Sequence, residues 1–492
     1  MTLKNLLTFF GKIHWQQMSP DFIVQGVTSD SRSAGAGFIF VAVKGVNSDG
    51  HDYLQKAVDQ GACAVVVEST QKIPANYKGA IVEVLDSALA YASVLAEFYS
   101  YPEDKLISVG ITGTNGKTST SYLVEQILNF AQVPCGVMGT IDHHLRKNVW
   151  KSSLTTPDAA TFYQRLQDFL SLGAKAYVME VSSHSLKQKR VPTRFDVVLF
   201  TNFTRDHLDY HSTMDDYFES KQKLFTDHLK QEGDVFAILN ADDANVKKVR
   251  VDRRAQTFTF GQTEDCDFYY KITQTTVDGM QFEVQEKKST YKYQTSMIGA
   301  HNVANCVGAI AVARCLGVSH ETCQLSMAQF TGVPGRLQRV PNKHRRHVFV
   351  DYAHTPDALE KVLQAVLKIK APSAKLITIF GCGGDRDQGK RPLMMQMAQK
   401  YSTHTVVTSD NPRSEDPQHI INQILAGGST PKNITDEVDR EEAFRKALAL
   451  SQPEDVIVVA GKGHEDYQII GTTNLPFSDF EKMQSLLQKD TL

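Results

Sequence analysis

The chain has 492 residues with 53 Lys and Arg against 55 Asp and Glu, a formal net charge of −2, so it lacks the basic excess of a general nucleic-acid binder. Hydrophobic residues at 41% and charged residues at 22% leave core-building unrestricted, and the length suits about three domains. Seven scattered Cys with no CxxC pair exclude a disulfide frame or thiolate zinc site, and no apolar run approaches the ~20 residues a bilayer requires, so a cytoplasmic protein without membrane insertion is expected.

The first stretch, MTLKNLLTFFGKIHW, reads as a short amphipathic helix without a small-residue cleavage site. Strand-like runs follow at Gly37–Gly45, Ala62–Glu68 and Ala80–Val84, with helical patterns at Tyr53–Gln60 and Ser87–Phe98. Residues 1–103 therefore predict a small α/β unit, closed by the breaker Tyr101-Pro102-Glu103-Asp104.

The strongest local signal follows. Leu106–Ile111 is a β-branched apolar run, Thr112-Gly113-Thr114-Asn115-Gly116-Lys117-Thr118-Ser119 breaks it, and Leu123, Ile127 and Phe130 then recur at helical spacing. Strand, glycine loop and helix together make a phosphate cradle. Backbone N–H groups approach phosphate oxygens, Lys117 neutralises them, and the Thr118 hydroxyl suits Mg²⁺. The usual pattern has glycine at position 111; this chain has Ile111, with Gly113 inside the loop. The expected ligand is a nucleoside triphosphate.

Strands are expected at Ala176–Val181, Asp196–Thr201 and Val235–Asn240, giving a mainly parallel sheet over 104–334. Their carboxyl ends, where open sheets bind ligands, carry Glu180-Val-Ser-Ser-His184 and Asn202-Phe-Thr-Arg-Asp-His207. A lone Glu or His is more often a satisfied polar residue; beside a phosphate loop, Glu180 and His207 become candidates for a Mg²⁺ shell. Phe268–Met297 alternates polar and apolar residues around Asp278-Gly279, the signature of an antiparallel ribbon. A third α/β unit, 335–492, has strands at Val348–Tyr352, Leu376–Phe380, Thr405–Thr408 and Val456–Ala460 and a helix at Pro356–Ile369. Three of these strands end in loops bearing Arg386, Arg413 and Glu465, a set suited to an amino acid with several charged groups.

Ten motifs in order then match one family: TGTNGKTS (112–119), TTPD (155–158), MEVSSHSL (179–186), TRDHLDYH (204–211), GAHNVAN (299–305), GVPGRLQ (332–338), DYAHTPDAL (351–359), GCGGDRD (381–387), DNPR (410–413) and AGKGHEDYQ (460–468). Over nearly its whole length the chain resembles the Mur ligases, most closely the branch that adds diaminopimelate. The resemblance implies a monomer with a UDP-sugar domain, a central ATPase domain and a C-terminal Rossmann-like domain. It also implies the reaction: ATP phosphorylates the D-Glu carboxylate of UDP-N-acetylmuramoyl-L-Ala-D-Glu, and the amine of meso-diaminopimelate attacks the acyl phosphate.

By position, the resemblance makes Thr112–Ser119 the ATP loop and puts Thr118, Glu180 and His207 near Mg²⁺. It makes Lys221, read alone a solvated helix lysine, a lysine carbamylated by CO₂ that ligates a second Mg²⁺. Asn302, Arg336, Asp351 and His354 match further ATP-side positions. Ser29, Ser31, Val46, Asn47, Ser48, Leu154, Thr155, Thr156, Ser182, Gln188 and Arg190 match the UDP-sugar and peptide contacts, although Leu154 replaces a common asparagine and Val46-Asn47-Ser48 departs from a polar HQA. Asp410, Asn411, Pro412 and Arg413, with Arg386, Gly461 and Glu465, match the diaminopimelate pocket; relatives that add lysine lack the arginine at 413. Folylpolyglutamate synthases share the phosphate loop but not the DNPR loop, and Gly381–Gly384 lacks the GxGxxG spacing of a dinucleotide loop.

Overall fold

A computed structural model of the chain describes residues 1–10, 12–45, 48–208, 210–429 and 431–488. It forms two compact units, one of residues 1–259 with 311–318, the other of residues 260–310 with 319–492.

The first unit opens with a helix of five residues, Leu3–Leu7, capped by Thr2 and burying Leu3, Leu6 and Leu7. The helix is shorter than the sequence pattern suggests, because Ile13–His14 instead pairs antiparallel with Ile81 and Val82 of the strand Ala80–Glu83. A five-stranded sheet results, its other four strands parallel. Helix α1 (Ser87–Phe98), N-capped by Asp86, covers it and has the span expected.

Next comes β1 (Ile107–Thr112), then α2 (Lys117–Phe130), with Leu123 and Ile127 fully buried. Beside it run β2 (Cys135–Met138), β3 (Ala176–Glu180), β4 (Val197–Phe200) and β5 (Phe236–Asn240), in the order β5-β4-β1-β3-β2, all parallel. A hairpin of Asp142–Leu145 and Asn148–Lys151, absent from the sequence reading, extends the β2 edge. Helix α3 (Ala159–Ser171) precedes β3, the short α4 (Ser183–Lys187) follows it, and α5 (Met214–Thr226) lies between β4 and β5. β1 occupies the centre, with Glu180 opposite Ile111 and Phe200 opposite Thr112. The phosphate loop thus leaves the sheet flanked by the carboxyl ends of β3 and β4.

In the second unit the predicted ribbon is three antiparallel strands, Phe268–Thr276, Gly279–Glu286 and Ser289–Thr295, with its first turn at Asp278-Gly279. A six-stranded sheet follows. From one edge it runs Gln338–Val340, β6 (His347–Asp351), β9 (Val456–Ala460), β7 (Leu376–Phe380), β8 (His404–Thr408) and Ile434–Glu437, parallel except at the first strand. Helix α6 (Pro356–Leu367) packs Leu359, Leu363 and Val366 into the core, each side chain worth about 1.5–3 kcal/mol on burial. Helix α7 (Arg440–Leu450) starts at a fully buried ion pair: Arg440 Nη2 lies 2.7 Å from Asp479 Oδ2, and the guanidinium also donates to the Ser409 and Ala460 carbonyls. Among the described residues no helix is long and apolar enough to cross a membrane.

Candidate active site

The loop after β1 bends where only glycine fits. Gly113 has φ +145°, and a Cβ there would stand 1.8 Å from Thr201 Oγ1 on the neighbouring strand end. Gly116, at φ +86°, forms the N-cap of α2. Thr114 and Asn115 are tied to the β4 exit by Thr114 N to Asn202 O (2.8 Å) and Asn115 N to Asn202 Oδ1 (2.9 Å). Lys117 Nζ folds back over the loop and donates to Gly113 O at 2.9 Å and Thr114 O at 3.0 Å. Thr112 hydrogen-bonds Val181 O, and Ser119 is buried in the first turn of α2.

Glu180, 1% exposed at the end of β3, accepts from Thr118 Oγ1 (3.0 Å), Thr140 N (3.0 Å) and Thr140 Oγ1 (2.9 Å). Thr118 and Glu180 supply the hard oxygen donors that suit Mg²⁺. No three His, Cys, Asp or Glu side chains converge as a metal site among the described residues, so an ion here would complete its shell from phosphate oxygens and water.

His207 stands apart from that pair. It is exposed, with φ +53°, and its ring lies 5.8 Å from Tyr217, whose hydroxyl meets Thr114 Oγ1 at 3.2 Å. Lys221 departs most from the reading of its residue type alone. The Thr213-capped α5 turns it inward, 2% exposed, with Nζ donating to Gly113 O at 2.7 Å and lying 4.7 Å from the Tyr217 ring centroid. Burial, then the nearby Lys117 charge, pull its ammonium well below the usual lysine range. The Asp206 charge opposes this shift.

Of the residues expected to contact substrate, Leu154, Thr155 and Thr156 precede α3, whereas Ser182, Gln188 and Arg190 follow β3. Ser182 N-caps α4. Thr156, 1% exposed, has its hydroxyl committed to Glu180 O and Ser182 N, so it positions the segment. Thr155 Oγ1 meets Thr140 Oγ1 at 3.2 Å and Leu154 is exposed. Arg190 Nε donates to Gln188 Oε1 (2.7 Å), and Gln188 Nε2 to Tyr210 Oη (3.0 Å). In the small sheet Ser31 is buried, Ser29 half-buried beside Tyr91, and Ser48 O accepts from Gly45 N. Val46 and Asn47 lie outside the described residues.

In the second unit the loops 381–386, 409–413 and 460–465 leave the adjacent strands β7, β8 and β9. Arg413 is held at φ +53° by Arg413 N to Ile469 O (3.1 Å) and Gly471 N to Arg413 O (2.7 Å). Its Nη1 donates to Gly384 O at 2.7 Å, and a Cβ at Gly383 would come within 2.9 Å of it. Arg386 is exposed on the same loop. Pro412 is buried, and Asp410 is buried behind the loop, its carboxyl pushed up by burial against the pull of Arg440 and Lys462. Gly461, at φ +115°, passes so close that a Cβ would meet Asp410 Oδ2 at 2.7 Å.

Glu465 is less available than the sequence suggests. It accepts from Asn411 Nδ2 at 2.9 Å and pairs at 3.2 Å with Lys462, which is fully buried. Asp351 accepts from Leu337 N (2.7 Å) and Ala353 N (2.8 Å), with burial raising its carboxyl. Arg336 stacks 5.5 Å from the Tyr352 ring and His354 is exposed. Asn302 spends its amide on Ile298 O and Asn305.

Sequence reasoning missed the groups that hold these loops in place. Besides Lys462 and the Arg440–Asp479 pair, fully buried Arg391 bonds Gly383 O (3.1 Å) and Glu415 (2.8 Å), and Glu415 accepts from Asp385 N (2.6 Å). The carboxylates they pair with lie 24 positions away for Arg391, 39 for Arg440 and 3 for Lys462, and no local periodicity marks them.

A phosphate loop in the centre of a parallel sheet, with a buried carboxylate beside it, defines a P-loop nucleotide-binding enzyme fold. Three family models match in succession: "Mur ligase family, catalytic domain" at 23–99, "Mur ligase middle domain" at 111–313 and "Mur ligase, glutamate ligase domain" at 335–463. The chain is 40% identical to a UDP-N-acetylmuramoyl-L-alanyl-D-glutamate--2,6-diaminopimelate ligase of Geobacter metallireducens, across 95% of this chain and 94% of that one. It is 42% identical to the ligase of that name from Aquifex aeolicus, with the same coverage. A solved structure of an enzyme so named superposes with a TM-score of 0.74 at 30% identity, covering 99% of this chain and 98% of that one. The chain belongs to the Mur ligase family.

Proposed function

We propose that the chain is an ATP-dependent, ADP-forming ligase that joins meso-diaminopimelate to UDP-N-acetylmuramoyl-L-Ala-D-Glu, in the cytoplasm, during synthesis of peptidoglycan precursors. The observation that carries this reading is the convergence of Lys117 and Lys221 on the Gly113 carbonyl, in a chain similar along 95% of its length to diaminopimelate ligases. In this reading residues 1–103 hold the UDP-sugar, 104–334 the ATP, and 335–492 the incoming amino acid.

A carboxylate is a poor electrophile, and phosphoryl transfer makes it an acyl phosphate with a good leaving group. Backbone N–H groups of 113–119 and the N-terminus of α2 receive the polyphosphate. Lys117 swings from its two loop carbonyls to the transferring phosphoryl group, where fixed positive charge lowers the barrier. Thr118 and Glu180 would hold Mg²⁺, which supplies Lewis-acid neutralisation of phosphate charge when bound. Lys221 as a neutral amine would accept CO₂ and lose a proton to become a carbamate, which would supply anionic oxygens to a second ion; His207 and Lys221 both approach the Tyr217 ring. Thr155, Ser182, Gln188 and Arg190 orient the acceptor peptide, and Ser29, Ser31 and Ser48 face the uridine end. Arg413 and Arg386 take the diaminopimelate carboxylates. Gly461 and Glu465 receive its distal end, where Glu465 shares its charge with Lys462.

Phosphate release with ATP, Mg²⁺ and the UDP-dipeptide substrate tests this, comparing meso-diaminopimelate with L-lysine. Turnover with diaminopimelate alone is expected; equal turnover with lysine removes the role given to Arg413, and no turnover with either removes the ligase reading.

A further inference from the structure

Arg386 and Arg413 stand on separate loops, after β7 and β8, and each loop has a non-glycine residue in the left-handed region. Asp385, directly before Arg386, lies at φ +54° and Arg413 at φ +53°. That conformation costs free energy in a residue with a Cβ and persists only where the surroundings hold it. The loops also run close together: a Cβ at Gly384 would stand 1.9 Å from Pro412 O.

Bonds from loop to loop hold both left-handed residues. Gly384 N donates to Asn411 O at 2.9 Å, and Arg413 Nη1 donates to Gly384 O at 2.7 Å. Asp385 accepts from Ser414 N at 3.1 Å on Oδ2 and from Ser414 Oγ at 2.7 Å on Oδ1. Glu415 Oε1 accepts from Asp385 N at 2.6 Å, and its two oxygens take the Arg391 guanidinium at 2.8 and 2.9 Å. Arg391, fully buried in the helix Lys390–Tyr401, also donates to Gly383 O at 3.1 Å and to Gln423. Arg391, then the Asp385 N–H, hold the Glu415 carboxyl down to about 2, so this bridge stays charged through the neutral range.

The lock reaches the ligand through chain position. Residue 385 precedes Arg386, and residues 414 and 415 follow Arg413, so bonds between them set the directions in which the two arginines leave the backbone. Among the described residues the Arg413 guanidinium forms a hydrogen bond only through Nη1, to Gly384 O. Its Nε and Nη2 donors are left for a carboxylate, in the bidentate arrangement that demands close placement. The carboxylates of Asp385 and Glu415, by contrast, are spent on loop and helix partners.

We propose that Asp385, Ser414 and Glu415, with Arg391 supporting Glu415, are positioning residues: they set the spacing of Arg386 and Arg413 on which recognition of an amino acid with two carboxylates depends. This inference rests on the proposed ligase reading and extends it from groups that meet the ligand to groups that act through them. An amino acid with a single carboxylate gains nothing from that spacing. The lock therefore contributes to discrimination without touching the molecule that is chosen.

Phosphate release with ATP and the UDP-dipeptide saturating gives the KM for diaminopimelate in each variant. Glu415→Gln should raise it about tenfold, and Asp385→Asn, at an exposed position, about threefold, through loss of charge-assisted contacts. Turnover number and the KM values for ATP and the UDP-dipeptide should move less than about twofold, a split that general loosening of the fold does not give. In an Arg413→Ala background, Glu415→Gln should add less than about twofold, since a residue that acts through Arg413 then has nothing to position. Glu415→Gln also takes the counter-charge from buried Arg391 and lowers Tm. Asp385→Asn keeps Tm, and it decides the matter alone where the first variant does not fold. A diaminopimelate KM within about twofold of wild type in the folded variants, a parallel rise in all three KM values, or effects that multiply in full with Arg413→Ala overturns the inference and leaves the ligase reading standing. A wild type without turnover on diaminopimelate removes that reading, and this inference with it.

Discussion

Two buried lysines lie in the two candidate regions, and their surroundings differ in kind. Lys462, in the loop after β9, meets the Glu465 carboxylate and the Asn411 side chain, both at 3.2 Å. Lys221, on α5, meets the Gly113 carbonyl, a tyrosine face and the neighbouring cation Lys117. The first is an ion pair that stiffens the loop after β9. The second has its ammonium lowered by burial and by Lys117, against the weaker pull of Asp206. The partner, rather than the depth of burial, separates the two environments.

The contrast can be broken most severely at the phosphate loop. Lys117→Met should lower kcat about a thousandfold, with binding of the UDP-dipeptide changed less than about threefold, measured by phosphate release and calorimetry. Lys221→Met should cost about a hundredfold in turnover while leaving Tm unchanged or higher, since an apolar isostere replaces a buried amine held by the Gly113 carbonyl. With ¹³C-bicarbonate, a carbamate carbon resonance is expected from wild type and should vanish in this variant. Lys462→Met should do the reverse for stability, lowering it by about 1–3 kcal/mol in urea denaturation because Glu465 loses its charged partner.

Arg413→Ala should raise the KM for diaminopimelate about thirtyfold with a smaller change in kcat. A last test concerns a pair of carboxylates near β2. His144 is buried, which pulls its imidazole down, but Asp142 at 2.6 Å and Glu125 at 3.0 Å outweigh this and raise it to about 9. The raised pKa means this stabilisation is fully present below the unfolded value near 6.5 and is lost as pH climbs through about 9. Urea denaturation at pH 7 and pH 10 should therefore differ by about 2 kcal/mol more in wild type than in His144→Gln.

The centre of the molecule was legible because its signals are local. β1, the glycine loop and α2 are continuous in sequence, and Ser87–Phe98, Leu376–Phe380 and Val456–Ala460 have the spans their apolar patterns predict. The hairpin from Asp142 to Lys151 was not legible, since DHHLRKNVW carries polar residues that pair with one another once folded. The N-terminal pattern misled for the opposite reason: a helical period was overridden at Ile13 by pairing with a strand almost seventy residues away. For the site, motifs located Lys117 at the start of α2, Glu180 at the end of β3 and Arg413 in the loop after β8, but the burial of Lys221 and its Gly113 contact depend on a spacing of 108 residues. The commitment of Glu465 to Lys462 was equally invisible, because a lysine three residues from a glutamate in a loop can point anywhere.

The hydrogen bonds around Glu180 also leave it a reserve. Oε2 accepts from the Thr118 and Thr140 hydroxyls, whereas Oε1 accepts only from Thr140 N among the described residues. A carboxylate oxygen has two lone pairs, so Oε1 keeps one acceptor site while the other three hold the first turn of α2 to Thr140. One side chain thus serves as a fastening and still has capacity to spare.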